Sequence, residues 1–258
     1  MPHAKELTMN AHLSPSLARE AREAREGDPS SVAAPVAIVG MDCRFPGASD
    51  ADALWELLDE GRHYSSPLPS DRGWDQTFLY NEDRAAEGTT YVRRGGFLED
   101  VAGFDAAFFG IGPLEASAMD PQQRLLMESA WRALEHSRIP PGSLKNSSTG
   151  VYVGLVDGTY HALAHGSPPP GLETYLLTGN FASIASGRIS YFLGLNGPAL
   201  TLDTACSSGL VALHVAVQAL RAGECETALV ASSAVLGSPE VLVRFRSRWH
   251  RSRNRPRL

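Results

Sequence analysis

The sequence predicts an α/β protein in which helices are layered on a sheet, and three features carry that prediction. Short β-branched, apolar runs recur along the chain, at 36–40, 149–155, 199–205 and 226–236. Helical segments with capping signals lie between them. Strands that alternate with helices in this way favour a sheet covered by helices. With 258 residues, 43% of them hydrophobic and 20% charged, the chain has the composition for a sizeable core and for one or two domains.

Residues 1–34 read as a leader or linker. "LAREAREAREGD" is charged and helix-prone but has little apolar content, which suits a solvated helix or a docking element for another polypeptide. "VAIVG" (36–40) predicts a buried strand. In "SDADALWELLDEG", Asp50 is placed to cap a helix that carries Leu54, Trp55, Leu57 and Leu58, and Gly61 to end it. From 62 to about 103, Gly, Pro, Asp and Tyr predict loops and short strands. "MDPQQRLLMESAWRALEHSRIPP" is the clearest helix. Asp120 is its N-cap, Pro121 suits its first turn, Leu126, Ala130 and Leu134 form its apolar stripe, and Pro140 and Pro141 stop it. "TGVYVGL" (149–155) is a second buried strand. Residues 179–195 read as one helix with Phe181, Ile184, Ala185 and Ile189 on one side. "ALTLDTA" then gives a strand, "CSSGLVALHVAVQALRAG" a helix and "ETALVASSAVL" a strand.

Composition excludes several classes. No apolar run approaches the roughly 20 residues that span a bilayer, and the N-terminus lacks a signal peptide's apolar core, so a cytoplasmic protein without a membrane segment is expected. Cys43, Cys206 and Cys225 show no CxxC pairing, which suggests neither a disulfide framework nor a zinc site. Two lysines against 21 arginines indicate a coding bias. The net charge of −6 hides an asymmetry. Residues 244–258, "RFRSRWHRSRNRPRL", hold seven arginines and no acid, and the rest of the chain, with 16 cations against 29 acids, stands at −13.

One position stands out. Cys206 falls where a predicted strand turns into a predicted helix. Unpartnered N–H groups at a helix start stabilise a thiolate, and they can hold the oxyanion formed when a thiolate attacks a carbonyl. Ser207, Ser208 and Gly209 are small enough to let a substrate approach. The competing reading is a small buried cysteine that closes a helix–sheet contact. Cys43, in a turn-like segment, and Cys225, just after a helix end, read as structural.

"DTACSS" (203–208) resembles the nucleophile motif of β-ketoacyl synthases. "PVAIVGMDCRFPG", "PSDRGWD", "YVRRGGFLEDVAGFDAAFFGI", "AMDPQQRLLMESAWRALE" and "LTGNFASIASGRISYFLGLNGPALTLDTACSSGLVALH" are similar to the ketosynthase domain of bacterial modular type I polyketide synthases, in its order and spacing over about residues 35–243. The resemblance implies a thiolase-like layered fold, of which this chain would carry the N-terminal half without the C-terminal half. It implies that Cys206 takes an acyl chain from the phosphopantetheine arm of an acyl carrier protein, with the Cys206 backbone N–H in the oxyanion hole. A malonyl-type extender would then condense on the thioester with loss of CO2. No cofactor or metal is implied in the domain itself. The implied partners are the carrier protein, other polyketide synthase modules and a second copy, paired near "ALTLDT".

The departures limit that implication. The family's two histidines, in HGTGT- and NxGH-like motifs, and the lysine before the second have no counterpart in these 258 residues. His214 resembles a packing residue of the family, and His161 and His165 fall in a variable loop. Condensation by this chain is therefore not expected. The alternative is a noncatalytic fragment, or a binding module that uses the leader or the basic tail. The tail reads as an out-of-frame or disordered segment rather than a nucleic-acid arm.

Overall fold

The structure is a computed structural model and describes residues 34–84, 86–156, 158–160 and 169–244. Most of the leader (1–33), His161 and His165, and the tail from 245 onward lie outside the described residues.

The centre is a three-stranded parallel sheet. In chain order its strands are β3 (Thr149–Leu155), β4 (Ala199–Leu202) and β5 (Thr227–Ser233), arranged β4–β3–β5. Val151 pairs with Ala199 on one side and Leu229 on the other, so β3 is bonded along both edges and buried throughout. Parallel strands need both faces covered, and alternation along β3 divides the work. Val151, Val153 and Leu155 point toward α4 (Pro121–His136) and α6 (Ile184–Leu193), where Leu126, Ala130, Leu134, Ile189 and Leu193 complete the larger core. Tyr152 points the other way, against Ala212, Ala216 and Ala219 of α7 (Ser208–Ala222).

Around this centre the chain adds α1 (Ala51–Asp59), a two-residue ribbon of β1 (Ser66–Pro67) and β2 (Arg94–Gly95), and α2 (Gln76–Leu79). The short helix α3 (Pro113–Ala118) precedes α4, and α5 (Glu173–Asn180) precedes α6. The expected caps are present. Asp50 Oδ1 accepts the Ala53 N–H at 2.8 Å, and Asp120 Oδ1 accepts that of Gln122 at 2.8 Å. Residues 205–222 are the one described stretch long and apolar enough to cross a membrane, with a mean hydropathy of 1.2 over 18 residues. In this fold its alanine row lies on the sheet instead.

Two expectations are corrected. The "VAIVG" run is not a buried strand. Residues 36–40 form no ladder, and Ile38 is 73% exposed. Its neighbours tether its ends and leave its edges unpaired. The Arg221 guanidinium donates to the Ala34 carbonyl at 3.2 Å, and the Met41 N–H donates to His136 Nδ1 at 3.3 Å. The single helix expected over 179–195 is two helices broken at 181–183. Gly179 lies against the Ala118 carbonyl, where an added Cβ would come within 2.3 Å. Asn180 Nδ2 donates to both the Ala118 and Leu176 carbonyls, which closes α5 and lets Phe181 leave in an extended conformation.

Candidate active site

Because the three strands are parallel, their C-terminal ends share one rim. The segments that leave it are 203–207 after β4, 156 and 158–160 after β3, and 234–238 after β5. Ligand sites of open α/β sheets form at such carboxyl ends. Cys206 is on this rim, exposed, in the turn between β4 and α7. Its exposure rules out the buried-spacer reading. The other two thiols are less exposed. Cys225 is buried, with its sulfur 3.8 Å from the Tyr152 hydroxyl, and Tyr152 is pushed up to about 12 by burial and by that contact. Cys43 is half-buried, and its thiol is pushed up by burial first and then by Asp42 and Asp50.

The turn is a compact polar knot. Ala205 has φ 57°, the left-handed region that costs a residue with a Cβ about 1–2 kcal/mol. Asp203 Oδ1 accepts the Ala205 N–H at 2.8 Å. The Ser207 hydroxyl donates to the Thr204 carbonyl at 2.8 Å. The Ser208 hydroxyl donates to the Ala205 carbonyl at 2.7 Å and accepts the Thr204 N–H at 2.9 Å. Both serines thus bond backward, and no side chain caps α7. A cap would have taken one of the orphan N–H groups in its first turn. That end of the helix carries the positive pole of its dipole, where negative charge is favoured.

The helix start is seated by two glycines. A Cβ on Gly154 of β3 would come within 2.4 Å of the Ser208 carbonyl carbon, and one on Gly209 within 2.7 Å of Ser232 Oγ on β5. At Gly154 backbone therefore meets backbone under the start of α7.

The neighbouring loops are held by side chains from the rest of the chain. Gln122 Oε1 accepts the Val235 N–H at 3.1 Å, and Thr159 Oγ1 accepts that of Ser238 at 2.9 Å. Arg72 donates to the Leu236 carbonyl at 3.0 Å and Trp74 Nε1 to the Gly237 carbonyl at 3.0 Å. The segments "DRGWD" and "DPQQR" thus fasten the loop that follows β5. At the far end of "DPQQR" the buried Gln123 accepts from Arg188 Nε at 2.8 Å, and Arg188 pairs with Glu115 at 2.6 Å.

These contacts also show what the sequence reading missed. Ser207 and Ser208 are more than small spacers, and nothing in the identity of Ala205 signals its left-handed conformation. The signal for the serines was present, since Asp, Thr and two Ser within six residues are the types that bond their own backbone in turns. The described histidines, His63, His136 and His214, are all exposed. His214 is not packed, although its place in the sequence had suggested packing.

Residues 33–257 match the family model described as the beta-ketoacyl synthase N-terminal domain. The chain belongs to the β-ketoacyl synthase family. Over 212 residues, 82% of its length, this ketosynthase chain is 54% identical to the phenolphthiocerol synthesis polyketide synthase type I Pks15/1 of Mycobacterium bovis, of which it covers 10%. It is 53% identical over 212 residues to the pikromycin polyketide synthase component PikAII of Streptomyces venezuelae, again 82% of its length, covering 6% of that protein. Among solved structures it superposes on the oxazolomycin ketosynthase domain OzmH KS7 of Streptomyces albus with TM-score 0.72 and 36% identity, covering 81% of this chain and 36% of that one. The ketosynthase from module 6 of the bacillaene synthase of Bacillus subtilis gives TM-score 0.69 and 35% identity, with 82% and 34% covered. The fold is therefore the thiolase-like α/β fold of ketosynthases. The chain spans a tenth or less of the curated relatives named here and about a third of the solved ketosynthase chains.

Proposed function

We propose that the chain is an acyl acceptor of polyketide assembly, with Cys206 as its nucleophile. The supporting observation is the exposed thiol on the left-handed turn, at the uncapped start of α7. The acyl group arrives as a thioester on the phosphopantetheine arm of an acyl carrier protein. The Cys206 thiolate attacks the carbonyl carbon, and the negative charge of the tetrahedral intermediate falls on an oxygen held by the Cys206 N–H. Collapse breaks the bond to the phosphopantetheine sulfur, which leaves and takes up a proton. The acyl group remains on Cys206.

The reaction of this 258-residue chain ends there. The decarboxylative step of the family draws on two histidines in motifs that these residues do not contain. Other polyketide synthase modules supply the chain's working context, and the cytosol is its location. A second copy pairs along β4, an outer strand of the sheet that leaves Leu200 42% exposed.

The test supplies the purified chain with an acyl thioester on one carrier protein and a malonyl thioester on another. The expected result is a chain heavier by one acyl group, no gain in a Cys206→Ala variant, and no β-ketoacyl product. A condensation product would overturn the restriction to acyl transfer. Absence of any acyl-enzyme would overturn the proposal itself.

A further inference from the structure

We propose that Ser208 is a positioning residue for Cys206: its hydroxyl holds Ala205 in the left-handed conformation that turns the Cys206 thiol out over the start of α7. This deepens the acyl-acceptor reading and rests on it. An alanine does not stay at φ 57° unaided, because its Cβ crowds the backbone carbonyl. Three bonds oppose that tendency: Asp203 Oδ1 on the Ala205 N–H at 2.8 Å, and the Ser208 N–H and hydroxyl on the Ala205 carbonyl at 3.1 and 2.7 Å. The Ser208 hydroxyl alone clasps both sides of the turn, since it also accepts the Thr204 N–H at 2.9 Å.

Burial separates Ser208 from the rest of the knot. Asp203, Thr204 and Ser207 are exposed, so water replaces only part of what their side chains supply. Ser208 is only 4% exposed, and nothing replaces its hydroxyl there. The Ser208 carbonyl carbon and the Gly209 nitrogen lie where a Cβ on Gly154 would be, at 2.4 and 2.5 Å, so the helix start cannot settle deeper into the sheet. The strain of the turn is therefore borne chiefly by the Ser208 hydroxyl, with Asp203 as the lesser hold, and loss of the hydroxyl lets Ala205 relax and re-aims Cys206. The Ser207 hydroxyl at the N-cap, bonded backward to the Thr204 carbonyl, leaves α7 uncapped.

The test uses the whole chain and its Ser208→Ala, Ser208→Ala/Ala205→Gly and Asp203→Ala variants. Iodoacetamide alkylation of each cysteine is followed by peptide mass, and acyl transfer from butyryl-pantetheine is followed in parallel. In Ser208→Ala, Cys206 alkylation and acylation both fall about tenfold while Cys43 keeps its rate and Cys225 stays protected. Adding Ala205→Gly brings Cys206 back to within about threefold of the original, because glycine occupies the left-handed region without a Cβ. A rate unchanged in Ser208→Ala overturns the proposal, and so does a loss that glycine at 205 does not recover. Should Ser208→Ala expose Cys225, and so report unfolding, Asp203→Ala decides on the same turn. A fall of about threefold in Cys206 alkylation supports the hold, and no fall overturns it. A parent chain that accepts no butyryl group refutes the acyl-acceptor reading, while the alkylation arms still decide the role of Ser208.

Discussion

Residues 36–40, "VAIVG", and residues 150–154, "GVYVG", have almost the same chemistry and opposite fates. Val153 is fully buried, whereas Ile38 is 73% exposed. β3 has β4 and β5 bonded to its two edges and helices on both faces, while the 36–40 run is tethered only at its ends. Burial of an apolar strand therefore belongs to its neighbours and not to its own residues. A run of this kind becomes core only when a ladder partner satisfies its backbone.

Val153→Asp places an unpaired carboxylate between β3 and the α4–α6 layer, and is expected to cost more than about 4 kcal/mol in urea unfolding. Ile38→Asp is expected to stay within about 0.5 kcal/mol. Similar losses at the two sites would mean that the 36–40 run is core in solution. Hydrogen exchange reads the same contrast without mutation. The amides of 151–155 should exchange at least about 100-fold more slowly than those of 36–40. Gly154→Ala tests the seat of the site in the same strand. It should cost about 1–3 kcal/mol and slow acylation of Cys206, because the new methyl meets the backbone at the start of α7.

Two smaller effects come from the exposed side of the molecule. Asp50→Ala removes the cap of α1, a helix with no buried residue, and should lower stability by about 1 kcal/mol or less. Cys43, whose thiol is raised by burial and by Asp42 and Asp50, should be alkylated at pH 7 a few times more slowly than a free cysteine, with the gap closing as the pH rises. A Cys43 that reacts as fast as free thiol would place its segment in solvent along with 36–40.

Much of this architecture was legible because local signals and tertiary demands agreed. Asp120 and Pro121 opened a helix whose Leu126, Ala130 and Leu134 then found a core. The strands 149–155, 199–205 and 226–236 lie where their apolar runs placed them, within a few residues at the ends. What failed depended on contacts between distant segments. Nothing within "VAIVG" records whether a partner strand lies beside it. The break at Phe181 follows from Gly179 and Asn180 meeting Ala118, some sixty residues earlier. At the site, the position of Cys206 between strand and helix was readable, but the direction of the thiol was not. It depends on a positive φ at an alanine, which residue preference argues against. The clamping of 235–238 by Arg72, Trp74, Gln122 and Thr159 was likewise hidden, since each pair of partners is far apart in sequence.

On the proposal made for Cys206, one thiol of three carries the acyl group. The most direct test is a brief exposure of the intact chain to limiting acyl-carrier-protein thioester, followed by peptide mapping of the label. The account predicts label confined to the peptide that contains Cys206, with Cys43 and Cys225 unmodified. Label shared between Cys206 and Cys43, or found on neither, would contradict it.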